Sequence, residues 1–203
     1  MILSNNYYYF QSALSKEFCK KIIDFAFSEK NKIKPALTGI LRPPENEVTL
    51  EELKEINKIR TSSIRFLDEP WITNTITPYV MEANKEANWN FQFSQYEKAQ
   101  FTIYDNNEFY DWHCDTSDTP FEDGTIRKLS VTVSLNDGLE YEGGEFEIDN
   151  RNNFHEKNIH KLDMIRNVGS LVVFPSFLYH RVKPVTKGTR YSLVIWYSGR
   201  PFI

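Results

Sequence analysis

The pattern of apolar and polar positions changes period once along this chain, near Asn90. Before it the period is mostly helical. Tyr7–Phe10 reads as a short strand, and Ser15 then supplies an N-cap for a helix over Lys16–Ser28. Phe18, Ile22, Phe25 and Ala26 share one face of that helix. Asn31–Val48 is polar and carries Pro35, Gly39 and a Pro43-Pro44 pair, so it reads as a loop. Thr49-Leu50-Glu51-Glu52 is a capping box, which starts a short helix running to about Lys58. Arg60–Leu67 (RTSSIRFL) alternates as a strand. Glu69–Asn88 places Ile72, Ile76, Val80, Ala83 and Ala87 at helical spacing. Pro78 within that pattern predicts a kink or a restart, with Thr77 as the new cap.

After Asn90 the period is two. Strands are predicted at Phe91–Gln95, Ala99–Tyr104, Tyr110–His113, Leu129–Leu135, Glu145–Ile148, Ile159–Asp163, Ser170–Phe174, Leu178–Val182 and Arg190–Tyr197. Short strands so regularly spaced point to a sandwich or barrel. No repeat, low-complexity run or linker divides the chain. The expectation is one domain, 1–203, mostly β with an α lobe (α+β). Residues 1–90 form a helical lobe with flanking strands, and 91–203 the β core. Leu129–Leu135 alternates most cleanly. Taken alone, it reads as core on the Leu129, Val131, Val133, Leu135 side and water on the Ser130, Thr132, Ser134 side. The alternative turns the apolar row towards the helices and leaves the hydroxyls lining an interior cavity.

Composition narrows the class. The 203 residues are 40% hydrophobic and 15% aromatic, enough for a substantial core. A net charge of −4 gives no electrostatic case for nucleic acid. No apolar run approaches the roughly 18 residues of a membrane span, and the N-terminus does not read as a signal peptide. Cys19 and Cys114 form no zinc or redox spacing. Reduced thiols and a cytoplasmic location are expected.

The candidate chemistry lies in a few residues. Histidine occurs at 113, 155, 160 and 180. His113-Cys114-Asp115 places an imidazole and a carboxylate on one face of an extended segment. His180 sits on an apolar strand, where alone it reads as a hydrogen-bonded core residue. Two histidines and one carboxylate on one side of a metal, with other positions open, suit ferrous iron in oxygenase chemistry. A chelating 2-oxo acid then needs a cation for its far carboxylate. Arg190 can supply a bidentate fork on the next strand, and Ser192, on the same face, a further hydrogen bond.

HCD at 113–115, the distal His180 and RYS at 190–192 resemble the Fe(II)/2-oxoglutarate-dependent dioxygenases. VFPSFLYHRVKPVTKGTRYSLVIW is especially similar to the C-terminal block of their prolyl-4-hydroxylase-like group, including PKHD-type hydroxylases. Tyr104 and Tyr110 ahead of His113, and Tyr141-Glu142-Gly143-Gly144-Glu145, match the same group. The resemblance covers Ala99–Tyr197. It implies a double-stranded β-helix, a jelly-roll or cupin-like barrel, with N-terminal helices packed on the major sheet. It implies His113, Asp115 and His180 as iron ligands, and Arg190 as partner of the 2-oxoglutarate C5 carboxylate. Ser192 and Tyr104 would be co-substrate neighbours. The cofactors implied are Fe(II), 2-oxoglutarate and O2, with ascorbate as reductant. The reaction implied is hydroxylation of a small-molecule or peptidyl substrate with release of succinate and CO2. Arg190 departs from the collagen-type prolyl hydroxylases, which carry lysine there. Two rivals stand beside this reading: a zinc or manganese hydrolase or isomerase on a related barrel, and a non-catalytic binding barrel.

His155 and His160 fall in the polar stretch Asp149–Lys161, a solvated loop or a lid over the site mouth. Asn31–Val48 and Thr116–Gly124 are further candidates for shaping the entrance.

Overall fold

A computed structural model describes residues 3–28, 34–36, 50–150 and 158–202. The two-residue period after Asn90 builds two facing antiparallel sheets. The major sheet runs β1 (Tyr8–Phe10), β11 (Leu171–Pro175), β7 (Ile126–Ser134), β14 (Arg190–Gly199), β5 (Ala99–Tyr104), β3 (Ser63–Leu67) and β2 (Lys34–Pro35), with β4 (Gln95–Tyr96) also paired to β14. The minor sheet runs β10 (Ile159–Lys161), β9 (Phe146–Asp149), β12 (Tyr179–Val182) and β6 (Tyr110–His113). A separate ribbon pairs β13 (Val185–Gly188) with β8 (Tyr141–Gly143). This is the double-stranded β-helix.

Alternation decides which side chain meets which layer. On β7, β5 and β14, Leu129, Val131, Val133, Phe101, Leu193 and Ile195 face one way. They pack against Cys19, Ile22 and Ala26 of α1 (Lys16–Ser28) and Ile72, Ile76, Val80 and Ala83 of α3 (Pro70–Glu86). The opposite face turns into the barrel. Ser130, Thr132 and Ser134 are therefore buried, and the simpler reading of that strand, with its hydroxyls in water, is overturned. The reason is the helical layer: it takes the apolar row, so the polar row points between the sheets. There it meets a second core built on Tyr104, Phe146, Ile148, Phe174 and Val182.

Helix α1 starts as its cap predicts, with the Phe18 N–H donated to Ser15 Oγ at 3.1 Å. Phe18 and Phe25 set their rings edge-on to Trp71. Helix α2 (Leu50–Ile59) has the expected place and lies beside β6; the capping residue Thr49 is outside the described residues. Helix α3 runs unbroken through Pro78, and Thr77 is no cap: its hydroxyl donates to the Thr73 carbonyl at 2.8 Å. Pro78 and Asn74 lie on the exposed face, so water can satisfy the carbonyl left without an N–H partner. Phe91–Ser94 forms no strand. β8 and β13 were not expected, each being only three or four residues long.

Candidate active site

The ligand candidates converge through strand pairing. β6 and β12 are antiparallel neighbours, and His113 lies directly opposite His180, with ring centroids 4.1 Å apart. Asp115 follows the end of β6, where its N–H is donated to the Ser176 carbonyl at 2.8 Å. Its carboxylate oxygens lie 3.7 Å from His113 Nε2 and 3.5 Å from His180 Nε2. Two donors each about 2.1 Å from an ion sit at most about 4.2 Å apart, so these separations suit a shared ion. One ligand atom from each of the three residues lies within 4.8 Å of the others. Each imidazole spends Nδ1 on a backbone carbonyl two residues earlier: His113 on Asp111 at 2.7 Å, His180 on Leu178 at 2.9 Å. Both Nε2 atoms are thereby turned to the common point, the usual outer support of a metal-binding histidine.

Charge agrees with geometry. Burial, and then the neighbouring His180, push His113 down to about 3, so its ring is neutral at ordinary pH. Burial opposes ionisation of Asp115. Even so, the two imidazoles, Arg127 and the Ser130 hydroxyl hold its carboxyl below the usual range. Ser130 Oγ donates to Asp115 Oδ2 at 2.7 Å and lies 2.9 Å from Ser176 Oγ. Arg127 forms a two-point pair with Glu97, at 2.5 and 2.6 Å, and reaches the Asp115 carbonyl at 3.3 Å. Two imidazoles and one carboxylate, donors of intermediate softness with positions left open, fit ferrous iron.

The same cavity is lined by Tyr104, Arg190 and Ser192. Register places Arg190 opposite Tyr104, and Ser192 opposite Thr102. Arg190 is only 2% exposed, its guanidinium sits 5.4 Å from the Tyr104 ring centroid, and its Nη1 is buried with no hydrogen-bond partner. A buried guanidinium nitrogen without an acceptor is costly unless an anion arrives. A dicarboxylate co-substrate fits that need. The Gly143-Gly144 pair makes room for it: both take left-handed φ, +73° and +62°. A Cβ on Gly144 would lie 3.0 Å from Arg190 Cδ.

All six residues singled out from the sequence thus line one cavity. His160 does not. It lies on β10 with Tyr7 6.2 Å away and Nε2 3.2 Å from Asn158 Oδ1. His155 and most of both longer lid candidates lie outside the described residues. Sequence reasoning missed Arg60, Arg127 and Ser176, and reached Ser130 only as one of the hydroxyls that the alternative reading of its strand turned inward. Arg60, 5% exposed, lines the cavity and stacks on Tyr110 at 4.3 Å. Tyr110 in turn stacks on His113 at 3.4 Å. The one signal for Arg60 was a charge at the head of a predicted strand.

Residues 99–198 match the family model described as the 2OG-Fe(II) oxygenase superfamily. The barrel belongs to that superfamily. A PKHD-type hydroxylase of Xylella fastidiosa is 35% identical to this oxygenase barrel over 104 residues, 48% of this chain and 42% of that one. Another, from Shewanella oneidensis, is 35% identical over 103 residues, 50% and 43%. The matched stretch is well under half the length of these curated relatives. Among solved structures, a Pseudomonas putida prolyl-4-hydroxylase superposes with TM-score 0.68 at 18% identity, covering 96% of this chain and 93% of that one. A viral collagen prolyl hydroxylase from Paramecium Bursaria Chlorella virus-1 gives 0.64 at 17% identity, covering 97% of each. These two likenesses carry the fold. No helix among the described residues is long and apolar enough to cross a membrane.

Proposed function

We propose that this chain is an Fe(II)- and 2-oxoglutarate-dependent dioxygenase that hydroxylates its substrate with release of succinate and CO2. His113, Asp115 and His180 would hold the iron, and Arg190 the far carboxylate of 2-oxoglutarate, with Ser192 and Tyr104 beside it. The observation that carries the reading is the partnerless Nη1 of Arg190 in the cavity of the two histidines and the aspartate. A zinc or manganese hydrolase would have no use for that guanidinium.

Iron and 2-oxoglutarate together supply O2 activation: one oxygen atom enters succinate and the other the substrate. The chain's own residues set the stage. The Asp111 and Leu178 carbonyls hold both imidazoles with Nε2 presented, and Ser130 fixes Asp115. Arg190 orients the co-substrate, and Phe146, Val182, Val194 and Trp196 limit water in the cavity. We take residues 1–203 as one working unit, supported by the pairing of β1 and β3 into the major sheet. A cytoplasmic location belongs to the same reading, supported by two unpaired cysteines. Ascorbate would serve as an external reductant.

Purified protein given Fe(II), 2-oxoglutarate and O2 should release succinate and CO2 in equal amounts, and Asp115→Ala should release neither. Succinate that persists at the wild-type rate in Asp115→Ala removes the assignment.

A further inference from the structure

Arg190 is not the only buried arginine in this cavity. Arg60 follows directly on α2, with its N–H bonded to the Ile56 carbonyl at 2.8 Å, and it pairs across to Tyr110 at the head of β6. Its Nε is committed to Ser62 Oγ at 2.7 Å. The guanidinium lies on the Tyr110 ring, which stacks on His113, so Arg60, Tyr110 and His113 form one run of stacked groups. Arg60 is near enough for its charge to help hold His113 in its neutral form. Among the described residues no carboxylate pairs with it. Asp115, the cavity's acidic side chain, is engaged by Ser130 and the two imidazoles.

A charge count sharpens the question. In the loaded site two arginines and a divalent metal carry four positive charges. Asp115 and the co-substrate dicarboxylate return three negative ones. The metal and Arg190 take up both co-substrate carboxylates, so one positive charge remains, and it sits at Arg60. A buried charge without a counter-charge is unfavourable. The remaining ligand to enter this cavity is the primary substrate. With Nε engaged, the two Nη atoms of Arg60 are left, the pair that grips a carboxylate end-on.

We propose that Arg60 is the receptor for a carboxylate of the primary substrate, which is therefore a small carboxylic acid held beside the metal. This rests on the oxygenase reading above and adds the substrate class to it. A cavity walled by Phe146, Val182, Val194 and Trp196 and shared with 2-oxoglutarate suits a small acid.

The test uses the full chain, loaded anaerobically with Fe(II) and 2-oxoglutarate, and follows the visible absorption band of that complex. The probes are the straight-chain acids from acetate to hexanoate and the twenty free L-amino acids, each matched with its carboxamide. One blocked peptide without acidic side chains completes the set. At least one acid should perturb the band, and its carboxamide should bind at least tenfold more weakly. Arg60→Gln should weaken that acid at least tenfold, and Arg60→Lys by less. In both variants the affinity for 2-oxoglutarate should stay within about twofold, which shows the co-substrate site intact. The proposal is overturned if acid and amide perturb equally, if the blocked peptide alone perturbs, or if no probe does. It is equally overturned if Arg60→Gln binds the acid as wild type does, or loses 2-oxoglutarate instead. If wild type forms no band at all, the oxygenase reading itself has failed, and the two failures are told apart at that step.

Discussion

Ser130 has no contact with solvent and spends its hydroxyl on the outer support of a ligand. Its proton goes to Asp115 Oδ2, and Ser176 Oγ stands behind it at 2.9 Å. Removing such a support typically costs about 10–100-fold in metal affinity. Ser130→Ala should therefore weaken Mn(II) binding by about that factor, measured by titration with Mn(II) in place of iron, and Ser130→Thr should restore most of it. Equal affinities in wild type and Ser130→Ala would reduce Ser130 to packing. The ligands themselves were legible because His113 and Asp115 are two apart in sequence and His180 lies within a recognisable block. Ser130, Ser176 and Arg60 were not, because each acts across a strand pair or between sheets. A serine on an alternating strand gives no sign of which layer it faces until the helices are placed.

At the scale of elements, the Gly143-Gly144 turn does the most to shape the site. It joins β8 to β9 beneath the ribbon that carries β13. A Cβ on Gly143 would fall 2.2 Å from the Pro184 carbonyl oxygen and 3.0 Å from the Thr186 nitrogen, at a φ of +73°. Gly143→Ala should thus destabilise the fold by about 1–3 kcal/mol or more, lowering the thermal midpoint by roughly 2–4 °C per kcal/mol. It should also weaken 2-oxoglutarate binding, since the next residue packs on Arg190. An unchanged midpoint would show that the ribbon yields freely. The glycine pair was readable as a motif, but β8 and β13, the strands it serves, were too short to show a period. The three helices were legible from capping residues and apolar spacing. Only the unbroken course of α3 was not, because burial of Ile72, Ile76 and Val80 outweighs the defect at solvent-facing Pro78.

For the molecule as a whole, the metal-free cavity is a store of acid sensitivity. Burial and then His180 push the His113 imidazole from its ordinary 6.5 down to about 3. Between those limits the unfolded chain binds a proton there that the folded chain excludes, so stability rises with pH across that window. Asp115, whose carboxyl is held low despite burial, adds stability above about pH 4 that is lost as pH falls further. Metal-free protein should unfold at lower urea concentration at pH 5 than at pH 7.5, and His113→Gln should flatten the difference. A wild type with the same midpoint at both pH values contradicts this account.

The most direct measurement is an anaerobic titration of the protein with Fe(II) and then 2-oxoglutarate, read by visible absorption. The account predicts a band that forms only when both are present, is absent from His180→Ala, and needs about tenfold or more additional 2-oxoglutarate in Arg190→Lys. No band in wild type, or one indifferent to Arg190, would contradict it.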